Sequence, residues 1–193
     1  MIRIAVEADV PAMLAIYAPY ILTTTYSFEY DVPSEDAFLQ RFRKYTQQFP
    51  WLVWEEEGRV LGYAYGSAPF ERAAYGWCAE SSIYLHSDAR GRGIGMRLYA
   101  ALEKLLKLQG YQVLYAIITS ENTGSVLFHQ KAGFSRLADF PRCGYKFGRW
   151  VGTVWMEKRL DSVEFPSNSP MTWSAVVADV QKMDDILDTL SLS

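Results

Sequence analysis

"SSIYLHSDARGRGIGMRLYAALEKLL" runs from Ser81 to Leu106. Its first residues alternate apolar with polar, the pattern of a half-buried strand. From Gly93 to Leu108 the apolar residues Ile94, Leu98, Ala101, Leu102, Leu105 and Leu106 recur at helical spacing, and Gly110 supplies a stop. Between strand and helix lie Arg90, Gly91, Arg92, Gly93 and Gly95. Glycines there make a tight turn. A glycine-rich turn opening onto a helix N-terminus also offers several N–H groups and the positive end of the helix dipole, which suit an anion. Arg90 and Arg92 add charge and fork-shaped donors for phosphate. The three glycines alternate, so the dinucleotide pattern G-x-G-x-x-G is absent, as is a Walker lysine followed by Ser or Thr. The spacing predicts a phosphate site of another kind.

The basic turn is a local feature. Net charge is −3, against the many cations a general nucleic-acid binder needs. Half of the 193 residues are hydrophobic and 15% are aromatic, enough for one domain with a sizeable core. Cys78 and Cys143 have neither disulfide-framework nor zinc-ligand spacing, and two free thiols in a reducing compartment are expected. "MIRIAVEADVPAML" carries early acidic residues and lacks the long apolar run of a secretory signal. No stretch approaches the roughly 20 apolar residues that span a bilayer. The expectation is a cytoplasmic protein with no membrane, nucleic-acid or metal partner.

"MIRIAV" reads as a first strand. A helix follows, with Asp9 as its cap, Pro11 just inside, and Met13, Leu14, Ile16 and Tyr17 on its apolar face. "TTTYSFEYDVP" reads as a loop. Ser34 caps a second helix. Three antiparallel strands follow, the first two joined by a hairpin turn at Glu57-Gly58. "YQVLYAIIT" is a nearly continuous apolar run and predicts a strand buried on both faces. "NTGSVLFHQKAGF" predicts a short helix between Asn122 and Gly133, and "VGTVWMEKRL" a final strand. Residues 1–160 form the expected domain and 161–172 a Pro/Ser-rich linker. Residues 173–193 form an amphipathic helix, with Trp173, Val176, Val177, Val180 and Met183 on its apolar face, expected to dock on its own domain or on a second subunit.

"RGRGIG" resembles the [Q/R]-x-x-G-x-[G/A] pyrophosphate loop of the GNAT superfamily of N-acetyltransferases. "NTGSVLFHQKAGF" is similar to that family's N-x-x-[A/S]-x(7)-G-F, with Asn122, Ser125, Gly133 and Phe134 in place. "AYGWCAESSIYLHSDARGRGIG" and "GYKFGRW" narrow the resemblance to the phosphinothricin and methionine sulfoximine N-acetyltransferase branch. It spans about Ile2 to Leu160. The implied class is α/β (α+β), a mixed and mostly antiparallel sheet flanked by helices, here with the extra C-terminal helix. The implied cosubstrate is acetyl-CoA, the partner a small-molecule amine, and the assembly a homodimer.

On the same resemblance, Arg90, Gly91, Arg92, Gly93, Ile94 and Gly95 hold the pyrophosphate. The strand Ile83, Tyr84, Leu85 pairs its backbone with the pantetheine arm like an added strand. Asn122 and Ser125 contact CoA further down, and Asn122 can also cap its helix. The reaction needs a neutral amine, hence a base. Glu80 stands where the branch carries its acid, and an acid in an apolar strand is costly to bury unless paired or functional. Its alternative is an exposed strand-edge carboxylate. His129 occupies the place where many members carry a tyrosine that protonates the departing thiolate. It can donate a proton, pack, or bond to CoA. Arg72 and Lys146 are candidates for a substrate carboxylate. Phe28, Phe70, Glu71, Tyr75 and Trp77 complete the substrate side, the aromatics as a wall whose ordinary alternative is packing. The loop before Tyr75 is one residue shorter than in the phosphinothricin enzyme, and Cys143 and Phe147 replace other side chains. Both departures bear on which amine is taken. Protein N-termini, lysine and polyamines are alternative acceptors, and a non-catalytic acyl-CoA-binding module is the alternative class.

Overall fold

The structure, a computed structural model, describes residues 1–160 and 168–178. The first strand, β1 (Ile2–Ile4), leads into α1 (Val10–Thr23) and α2 (Glu35–Tyr45). A meander of β2 (Trp51–Glu56), β3 (Arg59–Ser67) and β4 (Cys78–Leu85) follows. The order continues with α3 (Ile94–Gln109), β5 (Val113–Thr119), α4 (Thr123–Lys131), β6 (Ser135–Lys146) and β7 (Arg149–Arg159). The described residues end in α5 (Trp173–Ala178). The seven strands form one sheet in the order β1-β2-β3-β4-β5-β7-β6. Every pairing is antiparallel except that of β4 with β5. The expected mixed, mostly antiparallel sheet flanked by helices is therefore observed.

Local chemistry sets most boundaries. Ser34 accepts the Ala37 N–H at 3.2 Å and caps α2 as expected. Asp9 does not cap α1 through its side chain. Its carboxylate instead takes two bonds from Arg3 at 2.7 Å and the Val6 N–H at 2.8 Å, and so ties β1 to the helix entrance. Glu57 and Gly58 turn the β2–β3 hairpin with φ of 50° and 76°. Gly110 ends α3 in the left-handed region.

The sheet separates two cores. On one face α3 buries Leu98, Leu102, Leu105 and Leu106 against Leu114, Ala116 and Met156. On the other, α1 and α2 bury Met13, Tyr17, Phe38 and Phe42 against Trp51 and Tyr63. β5 departs from expectation: Leu114, Ala116 and Ile118 are buried, but Val113, Tyr115 and Ile117 are only half-buried. The α1–α2 pair covers the β2–β3 half of that second face and leaves the β5 end open. β6 has no counterpart in the sequence reading. Most of its residues are exposed, and its pairing with β7 shifts between Phe140 and Gly144, around Pro141, so neither alternation nor an apolar run marks it.

The expected linker and C-terminal helix lie partly outside the described residues. The described part docks on its own domain. Trp173 and Val176 are buried in the α3-side core. The Met171 N–H donates to the Gln109 carbonyl at 2.8 Å, and the Gln109 amide donates to the carbonyls of Met171 and Gln48 at 2.9 and 2.7 Å. Trp77, expected on the substrate side, gives its indole N–H to the Asn168 carbonyl at 3.0 Å and anchors this segment instead.

Candidate active site

β4 and β5 pair only over Cys78–Glu80 and Val113–Tyr115, while β4 stays paired with β3 as far as Leu85. Beyond Glu80 the two parallel strands part. The His86 N–H donates to the Leu61 carbonyl at 2.9 Å, so Ser82 and Tyr84 share its direction toward β3. Ile83 and Leu85 therefore present their backbone groups to the gap, and Tyr84 does not. Of the three expected backbone partners, two face the cleft. The Tyr20 hydroxyl already occupies part of this edge, donating to the Leu85 carbonyl at 2.6 Å and accepting its N–H at 3.2 Å. Tyr84 instead places its ring against Tyr17 and Tyr20.

At the mouth of the gap, Gly91 and Gly93 adopt φ of 73° and 78°, and a Cβ at either would meet nothing within 4 Å. The turn is open on its outer side, as an approaching phosphate requires. The first bonds of α3 run from Met96 and Arg97 to the Gly93 carbonyl, so the Ile94 and Gly95 amides precede the helix's own bonding. These residues fit a pyrophosphate through their backbone. The Ile94 side chain is buried in the core. The arginines are placed differently from one another. The Arg90 guanidinium lies 5.3 Å from the Tyr20 ring centroid, over the cleft mouth. Arg92 is turned to β2 and held by both Glu56 oxygens at 2.9 and 2.8 Å.

Glu80 sits at the vertex of the gap, half-buried in an interior strand rather than on an edge. Burial alone pushes its carboxyl up from 4.5 to about 7, because no cation stands against it among the described residues. Asn122 caps α4, its Oδ1 accepting the Ser125 N–H at 3.1 Å. His129 is 3% exposed and stands edge-on to Phe128 and Phe134, each with its centroid 5.1 Å away. Its Nδ1–H donates to the Ser125 carbonyl at 2.8 Å, which leaves Nε2 as an acceptor, buried and without a partner among the described residues. Burial also pulls the ring below its ordinary pKa. The expected acid role thus meets a neutral imidazole whose one N–H is engaged. Ser82, Ile83, Thr119, Asn122, Ser125 and His129 line one cleft.

The expected substrate residues divide. Phe70 and Tyr75 lie together, centroids 4.4 Å apart, in the β3–β4 connection with exposed Glu71 and Arg72. Lys146 is 2% exposed and donates to the Ile21 and Ser27 carbonyls at 2.8 and 2.6 Å. It ties the end of the β6–β7 hairpin to α1 and the α1–α2 loop, so its ammonium is buried and engaged rather than open to a substrate carboxylate, which corrects the expectation. Phe28 packs over Gly144 on the same hairpin, where an added Cβ would stand 2.5 Å from its ring. Glu121 extends this junction by bonding Arg149 and, at 2.8 Å, the Thr25 hydroxyl. Those two partners hold its carboxyl down to about 2.

Sequence reasoning missed Tyr20, Tyr115 and Trp155. The last two stand half-buried beside Phe70, with centroids 6.1 and 6.0 Å from it. Their signal was present: each occupies the off-beat of an otherwise buried alternation, on the face opposite α3.

Comparison with known proteins agrees with this arrangement. The profile of the acetyltransferase (GNAT) domain matches residues 2–155. Phosphinothricin N-acetyltransferase of Alcaligenes faecalis is 36% identical over 166 residues, 83% of each chain. The L-methionine sulfoximine/L-methionine sulfone acetyltransferase of Pseudomonas aeruginosa is 38% identical, over 83% of this chain and 94% of its own. The crystal structure of a phosphinothricin acetyltransferase from Sinorhizobium meliloti in complex with AcCoA superposes with a TM-score of 0.82 at 34% identity, covering 89% of this chain and 92% of that one. A matching family profile over most of the chain, a splayed β4–β5 pair and a glycine turn at its mouth lead to one conclusion: the chain belongs to the GNAT acetyltransferase family.

Proposed function

We propose that the protein transfers the acetyl group of acetyl-CoA to the amine of a small amino acid or analogue, of the phosphinothricin or methionine sulfoximine type. Glu80 carries this reading: a half-buried carboxylate with no cation against it among the described residues, at the vertex of the cleft. The Gly91–Gly95 amides and Arg90 hold the pyrophosphate, and the Ile83 and Leu85 edges take the pantetheine arm, Tyr20 yielding its place on Leu85. Asn122 and Ser125 flank the arm. Bound acetyl-CoA supplies the thioester, whose carbonyl carbon forms the new C–N bond as its C–S bond breaks; the nitrogen then gives up its second proton and the thiolate leaves as the thiol. Glu80 takes the proton of the incoming ammonium, directly or through water, and so frees the nitrogen lone pair. Phe70, Tyr75 and the exposed Glu71 and Arg72 stand on the acceptor side. The two relatives named for amino-acid analogues support this acceptor class.

The test is release of CoA thiol on mixing acetyl-CoA with methionine sulfoximine, methionine sulfone, phosphinothricin, free amino acids, an N-terminal peptide and polyamines. Release with the amino-acid analogues is expected. Release confined to peptide or polyamine moves the acceptor class. Tight acetyl-CoA binding with no release from any amine makes the chain a binding module.

The same reading includes a cytoplasmic homodimer, the family expectation. β6 is an edge strand, and the exposed Phe140, Tyr145 and Trp150 near it support a second copy there. Light scattering at micromolar concentration should give the mass of two chains, and a monomer contradicts it. Among the described residues no helix is long and apolar enough to cross a membrane.

A further inference from the structure

Segment 168–176 lies beyond the matched family profile, which covers residues 2–155, and is held to the domain at three places. At its end Trp173 and Val176 are buried in the α3-side core. In its middle the Met171 N–H donates to the Gln109 carbonyl at 2.8 Å, and the Gln109 amide, itself 1% exposed, donates back to the Met171 carbonyl at 2.9 Å. There the segment crosses the Gly110 turn so closely that a Cβ on Gly110 would stand 3.6 Å from Pro170. At its start the Asn168 carbonyl accepts the Trp77 indole N–H at 3.0 Å.

Trp77 joins this segment to the candidate active site. Its own carbonyl accepts the N–H groups of Gln112 and Val113 at 2.9 and 3.3 Å, where β5 begins. Three residues on is Glu80, which stands opposite Ser67, the last residue of β3. The β3–β4 connection therefore leaves and returns beside Glu80, and it carries the exposed Glu71, Arg72 and Tyr75. Among the described residues the hydrogen bonds of 68–76 stay within the connection, from the Tyr75 N–H to the Arg72 carbonyl at 3.0 Å and from the Gly76 N–H to the Ala73 carbonyl at 2.9 Å. The Phe70 ring against Trp155 fixes its start, and Trp77 fixes its end.

We infer that segment 168–176 is a strap that sets the acceptor side of the cleft: by pinning the Trp77 indole it fixes the β3–β4 connection beside Glu80, and Trp77 is a positioning residue for the amine. This rests on the acetyltransfer reading above. A connection of exposed residues bonded only to itself samples many arrangements, and a substrate that needs one of them binds in proportion to its population. Holding the indole N–H removes part of that cost before the amine arrives. The glycine turn lies past the opposite end of β4, beyond Leu85, so acetyl-CoA does not share the effect.

The test measures KM for acetyl-CoA and for the fastest amine of the panel by thiol release, in wild type, Trp77→Phe, Trp173→Ala and the double variant, at a temperature where each is folded. Trp77→Phe keeps an aromatic ring and removes the N–H. It should raise the amine KM about three- to tenfold, as loss of one hydrogen bond does, with the KM for acetyl-CoA unchanged. Amide hydrogen exchange at Tyr75 and Gly76 should quicken in the same variant. Trp173→Ala loosens the strap from the core and should raise the amine KM by a similar factor. The double variant should be no worse than the greater of the two, since both break one device. Val176→Ala, a smaller deletion in the same docked face, takes the place of Trp173→Ala if that variant does not fold. An unchanged amine KM in Trp77→Phe, an equal rise in both KM values, or single effects that multiply in the double variant overturns this inference alone. No thiol release with any amine overturns it together with the acetyltransfer reading.

Discussion

Glu80 is held where burial works against its charge, and both its chemistry and its cost follow. A carboxyl raised to about 7 is mixed in protonation at neutral pH and can accept a proton from an ammonium group. Its folded-state pKa lies above its ordinary value, so the stability it contributes is full at low pH and is lost as pH rises from 4.5 through about 7. Glu80→Gln should therefore stabilise the fold at pH 8 relative to wild type, by about 1–3 kcal/mol, and by much less at pH 5, as read by urea denaturation at the two values. Equal differences at both values contradict the burial. Lys146 shows the opposite assignment. Its ammonium bonds two carbonyls inside the protein. Lys146→Met should cost about 2–4 kcal/mol in thermal or chemical unfolding, as charged hydrogen bonds at a buried site do. The KM for acetyl-CoA should hold, since the Lys146 ammonium bonds the Ile21 and Ser27 carbonyls and not the glycine turn.

At the scale of elements, the turn between β4 and α3 joins two requirements in one set of residues. Gly93 has φ of 78°, so alanine there is strained by about 1–2 kcal/mol, yet its Cβ would meet no protein atom. It would stand where an approaching pyrophosphate needs room. Gly93→Ala should thus weaken acetyl-CoA binding at least tenfold by calorimetry while the melting temperature falls only a few degrees; a large loss of stability with unchanged affinity contradicts the placement. This turn, α3, α4 and the β2–β3 hairpin were all legible, because caps, left-handed glycines and strong periodicity are local signals. β6 was not: its residues are mostly exposed, and Pro141 breaks its register. The apolar run of β5 misled for a related reason. Tyr115 lies half-buried on the half-open face, and it looks like core until the neighbouring strands are known. Lys146 and Arg92 were read from their charge and from the resemblance, but the partners that claim them, the Ile21 and Ser27 carbonyls and Glu56, are distant in sequence.

The described residues form a sheet with α3, α4 and α5 on one face and α1 and α2 over half of the other. The uncovered part of that second face is where Glu80, Tyr115 and Trp155 lie. The α5 segment belongs to the opposite side. Trp173 is 4% exposed within the α3 core, so Trp173→Ala should destabilise the fold by about 3 kcal/mol and leave acetyl-CoA affinity unchanged, checked by denaturation and calorimetry on the same sample. A loss of affinity without loss of stability would move this segment into the site.

The central claim is that the cleft catalyses amine acetylation with Glu80 as its base. Steady-state thiol release with L-methionine sulfone, measured for wild type and Glu80→Gln across pH 5.5 to 9, tests it most directly. Wild-type kcat/KM should rise with pH through about 7. The variant should lose that limb and about 10²–10⁴ in kcat, while its acetyl-CoA affinity stays at the wild-type value. Equal kcat in the two proteins, with the same pH profile, would contradict the account.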